Sequence, residues 1–318
     1  MAHDDDPTLH EVGEFAVIDR LTSGRTFPPG VTVGPGDDAA VVAAADGRVV
    51  VTTDMLVEGR HFRLDWSTPH DVGRKAIAQN AADIEAMGAR VIGFVVAFGA
   101  PTDTPVALAA ELTDGMWTEA AKVGAGIVGG DLVASPRWVV SVTALGDLDG
   151  RDPVLRSGAR PGSVVAVAGE LGCSAAGYLA LLQEVSGFDE LCARHRAPNP
   201  PYGQGRAAAE AGAQAMTDVS DGLLADLGHI AVASGVVIDL RGSALNSDVE
   251  AVRAAAEAAG VDPWSVVLAG GEDHALVACF PDCPPHGWRV IGAVRAGAPS
   301  VLLDGATPAG PAGWQSFD

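Results

Sequence analysis

The sequence predicts two domains built from α+β and α/β layers with mixed sheets, and three observations carry that reading. The chain has 318 residues, 48% hydrophobic and 19% charged, enough apolar mass for two cores of ordinary size. Its β-rich runs return in pairs between helical patterns. A polar stretch from Gly150 to Pro161, carrying Pro153 and Pro161, separates two such sets and places the domains at 1–150 and 151–318.

Taken in order, Val12, Phe15, Ile18 and Leu21 lie at helical spacing and predict a helix over 8–21. A Pro/Gly loop runs from Thr26 to Gly36. Ala39 to Ala44 and Arg48 to Thr53 are β-rich, and Asp46-Gly47 between them predicts a hairpin. Thr68 before Pro69 opens a helix whose buried stripe is Val72, Ala76, Ile77, Ile84 and Met87, and Gly88 stops it. Val91 to Phe98 reads as a buried strand, 104–123 as a helix and Trp138 to Leu145 as a strand. The second half starts with a strand at Ser163 to Ala168 and a helix at about 174–184, then a loop at Asn199-Pro200-Pro201. Helices near 203–213 and 222–234, strands near 236–240, 274–280 and 288–294, and helices between them complete it.

A net charge of -21 and a pI near 4.5 exclude a basic nucleic-acid surface. They would also repel a nucleotide triphosphate unless divalent cations intervened. No run reaches the apolar length of a membrane span, and the N-terminus is acidic where a signal peptide is basic. The expected location is the cytoplasm. Four dispersed cysteines suit a reducing compartment. His274, Cys279, Cys283 and His286 can be drawn as a zinc site, but the apolar run Ala275 to Phe280 reads them as packing residues.

Neither lysine, Lys75 or Lys122, follows glycine in a P-loop, and there is no Gly-x-Ser-x-Gly elbow or His-Glu-x-x-His pair. Gly34 to Ala39 and Gly124 to Gly129 imitate dinucleotide-binding turns. The first puts carboxylates where a pyrophosphate would sit, and the second follows a helix instead of a strand. Phosphoryl chemistry remains.

Its candidates are short acidic motifs on small-residue turns, a pattern suited to several hard cations against a polyphosphate. Thr52, Thr53 and Asp54 close a predicted strand, where their oxygens would emerge together. His61 follows in Val57-Glu58-Gly59-Arg60-His61-Phe62, either binding an anion or capping a turn. Asp83 shares a helix face with Ile84 and Met87, so a metal or a partner such as Arg74 must compensate it. Asp131 follows Gly129-Gly130, where backbone can approach a ligand closely. Asp218 precedes Ser220-Asp221, either of which could cap the helix beginning near Leu223. Gly270-Gly271-Glu272-Asp273 puts paired acids on a turn.

Together these residues resemble the thiamine-monophosphate kinase family, within the superfamily of aminoimidazole ribonucleotide synthetase, selenophosphate synthetase and the hydrogenase maturation factor. The resemblance runs from Gly13-Glu14-Phe15 to Trp314. It is carried by Gly36-Asp37-Asp38-Ala39-Ala40, Thr53 to Phe62, Ala82 to Ala89, Gly129-Gly130-Asp131, Arg156 to Ala159, Asp218 to Leu223 and Gly270 to Asp273. Three departures stand out: Met55 where Thr is frequent, Gln79-Asn80-Ala81-Ala82 where Val-Asn-Leu-Ser is typical, and His274 for a common Tyr.

The resemblance implies a two-domain aminoimidazole ribonucleotide synthetase-like fold, a homodimer formed by the N-terminal domain, and an ATP site in the cleft between the domains. It implies ATP-dependent phosphorylation of thiamine monophosphate to thiamine diphosphate by direct γ-phosphoryl transfer with several Mg²⁺ ions, without a residue acting as acid or base. Carried over by position, Asp38, Thr52, Thr53, Asp54, Asp83, Asp131, Asp218 and Asp221 are the implied metal ligands. Gly130, Asp131, Arg156 and Ser220 are the implied nucleotide contacts, and His61, Glu272 and Trp314 the substrate contacts. Another ATP-dependent member of the superfamily, or a silent metal or nucleotide sensor, are the alternatives.

Overall fold

The computed structural model of the chain describes residues 6–28, 30–34, 39–310 and 312–313. The expected ligand Asp38, its neighbour Asp37 and the expected substrate contact Trp314 lie outside the described residues. Two compact units are present: residues up to Ile84 together with Arg90–Gly150, and Glu85–Ala89 together with the residues from Arg151 onward.

In the first unit the expected helix over 8–21 is two helices, α1 (Leu9–Val12) and α2 (Glu14–Thr22). Gly13 at φ 82° breaks the run, and a reciprocal Thr8–Glu11 box caps α1. The hairpin at Asp46-Gly47 is corrected. The turn forms, with Gly47 at φ 76°, but the strands beside it go to different partners. β1 (Val31–Val33) pairs with β2 (Val41–Val42), while β3 (Val50–Val57) joins the main sheet. Turn chemistry sets a reversal and leaves the choice of sheet to longer-range burial.

After β3 come α3 (Pro69–Ala86), β4 (Arg90–Ala100), α4 (Val106–Lys122), β5 (Ile127–Ala134) and β6 (Val139–Asp147). The sheet order is β3-β6-β4-β5, antiparallel except for the parallel β4–β5 pair. On one face Leu56, Phe94, Val96, Phe98, Val140, Val142 and Ala144 are buried. On the other, Val51, Met55 and Val133 are 60%, 52% and 57% exposed, the period-2 signature of a sheet covered on one side. Glycines let α3 and α4 cross closely: a Cβ on Gly73 would meet the Leu112 carbonyl at 2.0 Å, and one on Gly115 the His70 carbonyl at 2.0 Å.

The second unit contains β7 (Val164–Ala168), α5 (Cys173–Leu182), α6 (Asp189–Arg196), α7 (Gln204–Glu210), β8 (Ala215–Asp218), α8 (Leu223–Ser234) and β9 (Val237–Leu240). These are followed by α9 (Asn246–Ala258), α10 (Pro263–Ala269), β10 (Leu276–Phe280), β11 (Arg289–Arg295) and β12 (Ser300–Leu303). Its sheet order is β12-β9-β11-β7-β10-β8, antiparallel except for β12–β9. Both faces are covered. Val165, Val167 and Ile238 pack with Leu227, Val252 and Val267 of the helices on one side. Ala166, Ala168 and Phe280 pack with Ala208 and Trp288 on the other. Glu85, at the end of α3, is buried and accepts the N–H groups of Gly203 and Gly205 at 2.8 Å each. It thereby satisfies the first donors of α7.

Candidate active site

In the first unit, β3 runs past the expected end at Thr53 to Val57, so Thr52, Thr53 and Asp54 sit in mid-strand. Alternation divides them. Thr52 and Asp54 share the helix-covered face, and Thr53 faces the open side with exposed Val51 and Met55. Ala76, Asn80 and Asp83 follow one another along one face of α3. Asp83 Oδ2 accepts the Thr52 hydroxyl at 2.6 Å. Asn80 Oδ1 accepts the Asp54 N–H at 3.1 Å, while its Nδ2 donates to the Ala76 carbonyl at 2.9 Å. Asn80 is fully buried, so it fixes the height of Asp54 on the strand. Arg74, the alternative partner for Asp83, pairs instead with buried Glu119 at 2.9 Å.

The Thr53 hydroxyl donates to the Val142 carbonyl at 3.0 Å and receives the Thr143 hydroxyl at 3.1 Å. Asp131 lies within β5, in register with Ala97, which in turn faces Ser141 and through it Met55. It therefore belongs to the open face and is exposed. Gly130 beside it cannot carry a side chain: a Cβ there would meet the Val96 carbonyl at 2.1 Å. Thr52, Asp54 and Asp83 are thus brought together, and Thr53 and Asp131 stand across the sheet from them.

His61 closes the turn that follows β3. Its Nδ1 accepts the Val57 N–H at 3.0 Å, and its N–H bonds the Val57 carbonyl at 3.0 Å. An Nδ1 that accepts a backbone N–H leaves the imidazole proton on Nε2, which makes His61 a donor suited to an anion. Buried Lys75 donates to the His61 carbonyl at 3.0 Å and secures the turn from α3.

In the second unit, β8 delivers Asp218, which is buried with an oxygen 3.0 Å from His274 Nδ1. The departure from Tyr at 274 therefore places an imidazole directly on an expected ligand. Neither Ser220 nor Asp221 caps α8. Gly222 holds the cap position at φ 132°, and Asp226 reaches back from the first turn to accept the N–H groups of Asp221 and Gly222 at 3.0 Å each. Burial, reinforced by the neighbouring Asp218 charge, pushes the Asp226 carboxyl up to about 7. Burial also raises Asp221, with His229 opposing and Asp218 adding to the shift. Asp221, Asp226 and His229 each offer a donor atom within 4.8 Å of the others. Arg156 is exposed, with its Nε 3.3 Å from the Thr217 hydroxyl.

The Gly270–Asp273 turn packs on the 220–221 loop. Glu272, at φ 64°, donates its N–H to the Ser220 carbonyl at 2.8 Å. A Cβ on Gly271 would meet that same carbonyl at 2.5 Å. Asp273 is buried and accepts the N–H groups of Gly172 and Ser174 at 2.5 and 2.8 Å, at the start of α5. Burial pushes its carboxyl up to about 7 against those two bonds. Cys279 is buried in β10 and Cys283 is exposed, and burial pushes Cys279 up to about 12, as packing residues require.

Sequence reasoning missed Asp226. Asp226 carried a usable signal, since it stands among Leu223, Leu224, Leu227 and Ile230 as Asp83 does among its own apolar neighbours.

Residues 36–148 match the family model for AIR synthase related protein, N-terminal domain, and residues 160–296 the C-terminal domain of the same family. The chain is 67% identical over 311 residues to thiamine-monophosphate kinase of Mycobacterium tuberculosis, covering 98% of this chain and 93% of that one. It is 46% identical to thiamine-monophosphate kinase of Corynebacterium glutamicum, with 98% and 96% covered. The solved structure of AaThiL complexed with AMPPCP and TMP superposes with a TM-score of 0.75 at 30% identity, covering 99% of this chain and 100% of that one. The chain belongs to the thiamine-monophosphate kinase family of AIR synthase-related proteins.

Proposed function

We propose that this chain transfers the γ-phosphoryl group of ATP to thiamine monophosphate, yielding thiamine diphosphate and ADP. The observation that carries the reading is the oxygen-donor set of Thr52, Asp54 and Asp83, with Thr52 and Asp83 in contact at 2.6 Å, in a chain 67% identical to a thiamine-monophosphate kinase. A phosphate oxygen of the acceptor forms the new bond to the γ-phosphorus as the bond to the ADP oxygen breaks, so no covalent phospho-enzyme is required.

The donor set fits Mg²⁺, being made of carboxylate and hydroxyl oxygens with no thiolate. Within the first unit Thr52, Asp54 and Asp83 are the proposed donors on the helix-covered face, and Thr53 and Asp131 are separate proposed donors on the open face. Within the second unit Asp218 and Asp221 are the proposed donors, and Asp38 is proposed by its position in the sequence alone. Magnesium, when bound, supplies the positive charge that a chain of net charge -21 lacks for a triphosphate. Asn80 and Asp226 keep their carboxylate neighbours in place through backbone N–H groups. Of the proposed nucleotide contacts, Gly130 and Asp131 belong to the first unit and Arg156 and Ser220 to the second. Within the first unit His61 offers its Nε2–H to an anion; within the second Glu272 is the proposed contact of the thiamine portion, and Trp314 is proposed by its position in the sequence alone.

The open sheet face of the first unit, with Val51, Met55, Val95 and Val133 exposed, suits burial against a second copy and supports a homodimer through the N-terminal domain. No described helix is long and apolar enough to cross a membrane, and a cytoplasmic location is in keeping with the chemistry. Incubation of the protein with ATP, MgCl₂ and thiamine monophosphate, followed by chromatography, tests the activity. Thiamine diphosphate should accumulate; ATP binding without product would leave a nucleotide sensor.

A further inference from the structure

The second unit contains a buried imidazole outside every residue set assigned above. His195, on α6, is 8% exposed. Its Nδ1 lies 3.4 Å from Glu272 Oε2 and 3.2 Å from the Ser174 hydroxyl. Ser174 is itself buried at the start of α5, its N–H bonded to Asp273 at 2.8 Å. The Tyr178 ring packs against the imidazole with centroids 5.3 Å apart.

Two features turn this contact into an argument. The Glu272 carboxylate is partly exposed, its side chain 35% accessible, whereas the imidazole behind it is enclosed. A carboxylate oxygen at 3.4 Å would repel a lone pair on Nδ1, so the proton sits on Nδ1, where the Glu272 carboxylate and the Ser174 hydroxyl oxygen at 3.2 Å both stand as its acceptors. Meanwhile Glu272 has its backbone in the left-handed region, which fixes where its side chain starts but not which rotamer it takes. A donor held on a packed helix and seated on Ser174 selects that rotamer.

We propose that His195 is a positioning residue that holds the Glu272 carboxylate in the orientation that receives the cationic thiamine portion of the acceptor, with Ser174 seating the imidazole. The proposal rests on the reading above that Glu272 contacts that substrate. His195 should affect the acceptor more than ATP, because the carboxylate it faces is that of Glu272.

Steady-state kinetics with each substrate varied in turn test it on His195→Gln, His195→Asn, Glu272→Gln and the His195→Gln/Glu272→Gln double variant. The amide nitrogen of Asn falls near the Nδ1 position, whereas that of Gln falls near Nε2. His195→Gln should raise KM for thiamine monophosphate about tenfold while KM for ATP stays within about twofold, and His195→Asn should keep the former within about threefold of wild type. The double variant should be no worse than Glu272→Gln alone, since both changes remove one interaction. Equal effects of Asn and Gln, parallel losses for both substrates, or multiplying effects in the double variant would overturn the proposal. If Glu272→Gln raises KM while His195→Gln leaves it unchanged, the positioning role alone fails. If Glu272→Gln itself leaves KM unchanged, the substrate contact fails and the positioning role with it.

Discussion

Asp273→Asn isolates the energetic cost of one buried carboxyl. Burial raises Asp273 from 3.8 to about 7, so between those values the native state holds a proton that the unfolded chain has released. Stability then falls as pH rises through this window, and the loss is complete above the folded value. A shift of about three units corresponds to about 4 kcal/mol over the whole window, of which about 3 kcal/mol falls between pH 5 and pH 8. Asn does not titrate. It can accept only one of the two N–H groups that Asp273 accepts from Gly172 and Ser174, a fixed loss of roughly 1–3 kcal/mol. Wild type should therefore lose about 3 kcal/mol of its margin over the variant between pH 5 and pH 8. Urea unfolding followed by circular dichroism at four pH values measures this. The other raised carboxyls, Glu85, Asp221, Asp226 and Asp248, titrate in both proteins and cancel in the difference. A margin independent of pH would refute the argument that burial dominates over the two N–H bonds.

Two further predictions follow from packing. Gly73→Ala gains about 1 kcal/mol of helix propensity. It also places a Cβ 2.0 Å from the Leu112 carbonyl, so net destabilisation of roughly 1–3 kcal/mol is expected by thermal or chemical unfolding. Asp226→Ala leaves the Asp221 and Gly222 N–H groups without their acceptor. It should cost about 1–3 kcal/mol and raise the Mg²⁺ concentration needed for half-maximal turnover, whereas Asp226→Asn, which keeps one oxygen for both donors, should stay close to wild type.

Most elements were legible because their signals are local. The Thr68-Pro69 start and Gly88 stop of α3, the apolar runs of β4 and β7, and the acids flanked by glycine all follow from neighbours in sequence. Partner choice was less so. The Asp46-Gly47 turn was read, but β2 and β3 part company because one strand finds β1 and the other β6. β5 was hidden because Gly129 and Gly130 interrupt its apolar run. The division of Thr52-Thr53-Asp54 between two faces depends on β3 continuing to Val57, a boundary four residues beyond the expected end. Asn80 stood in a motif that sequence reasoning identified, yet its bond to the Asp54 backbone is visible only once β3 lies beside α3. The Asp218–His274 contact required β8 and β10 to pair, which they do with Asp218 opposite Leu276.

The central claim is that acids far apart in sequence serve one phosphoryl transfer. It is tested most directly by following label from γ-labelled ATP in the wild type and in Asp54→Asn, with thiamine monophosphate and MgCl₂ present. The account predicts one labelled thiamine diphosphate per ADP in the wild type, and at least about a hundredfold slower turnover in a folded Asp54→Asn. Wild-type rates in Asp54→Asn, or ADP formed without labelled thiamine diphosphate, would contradict it.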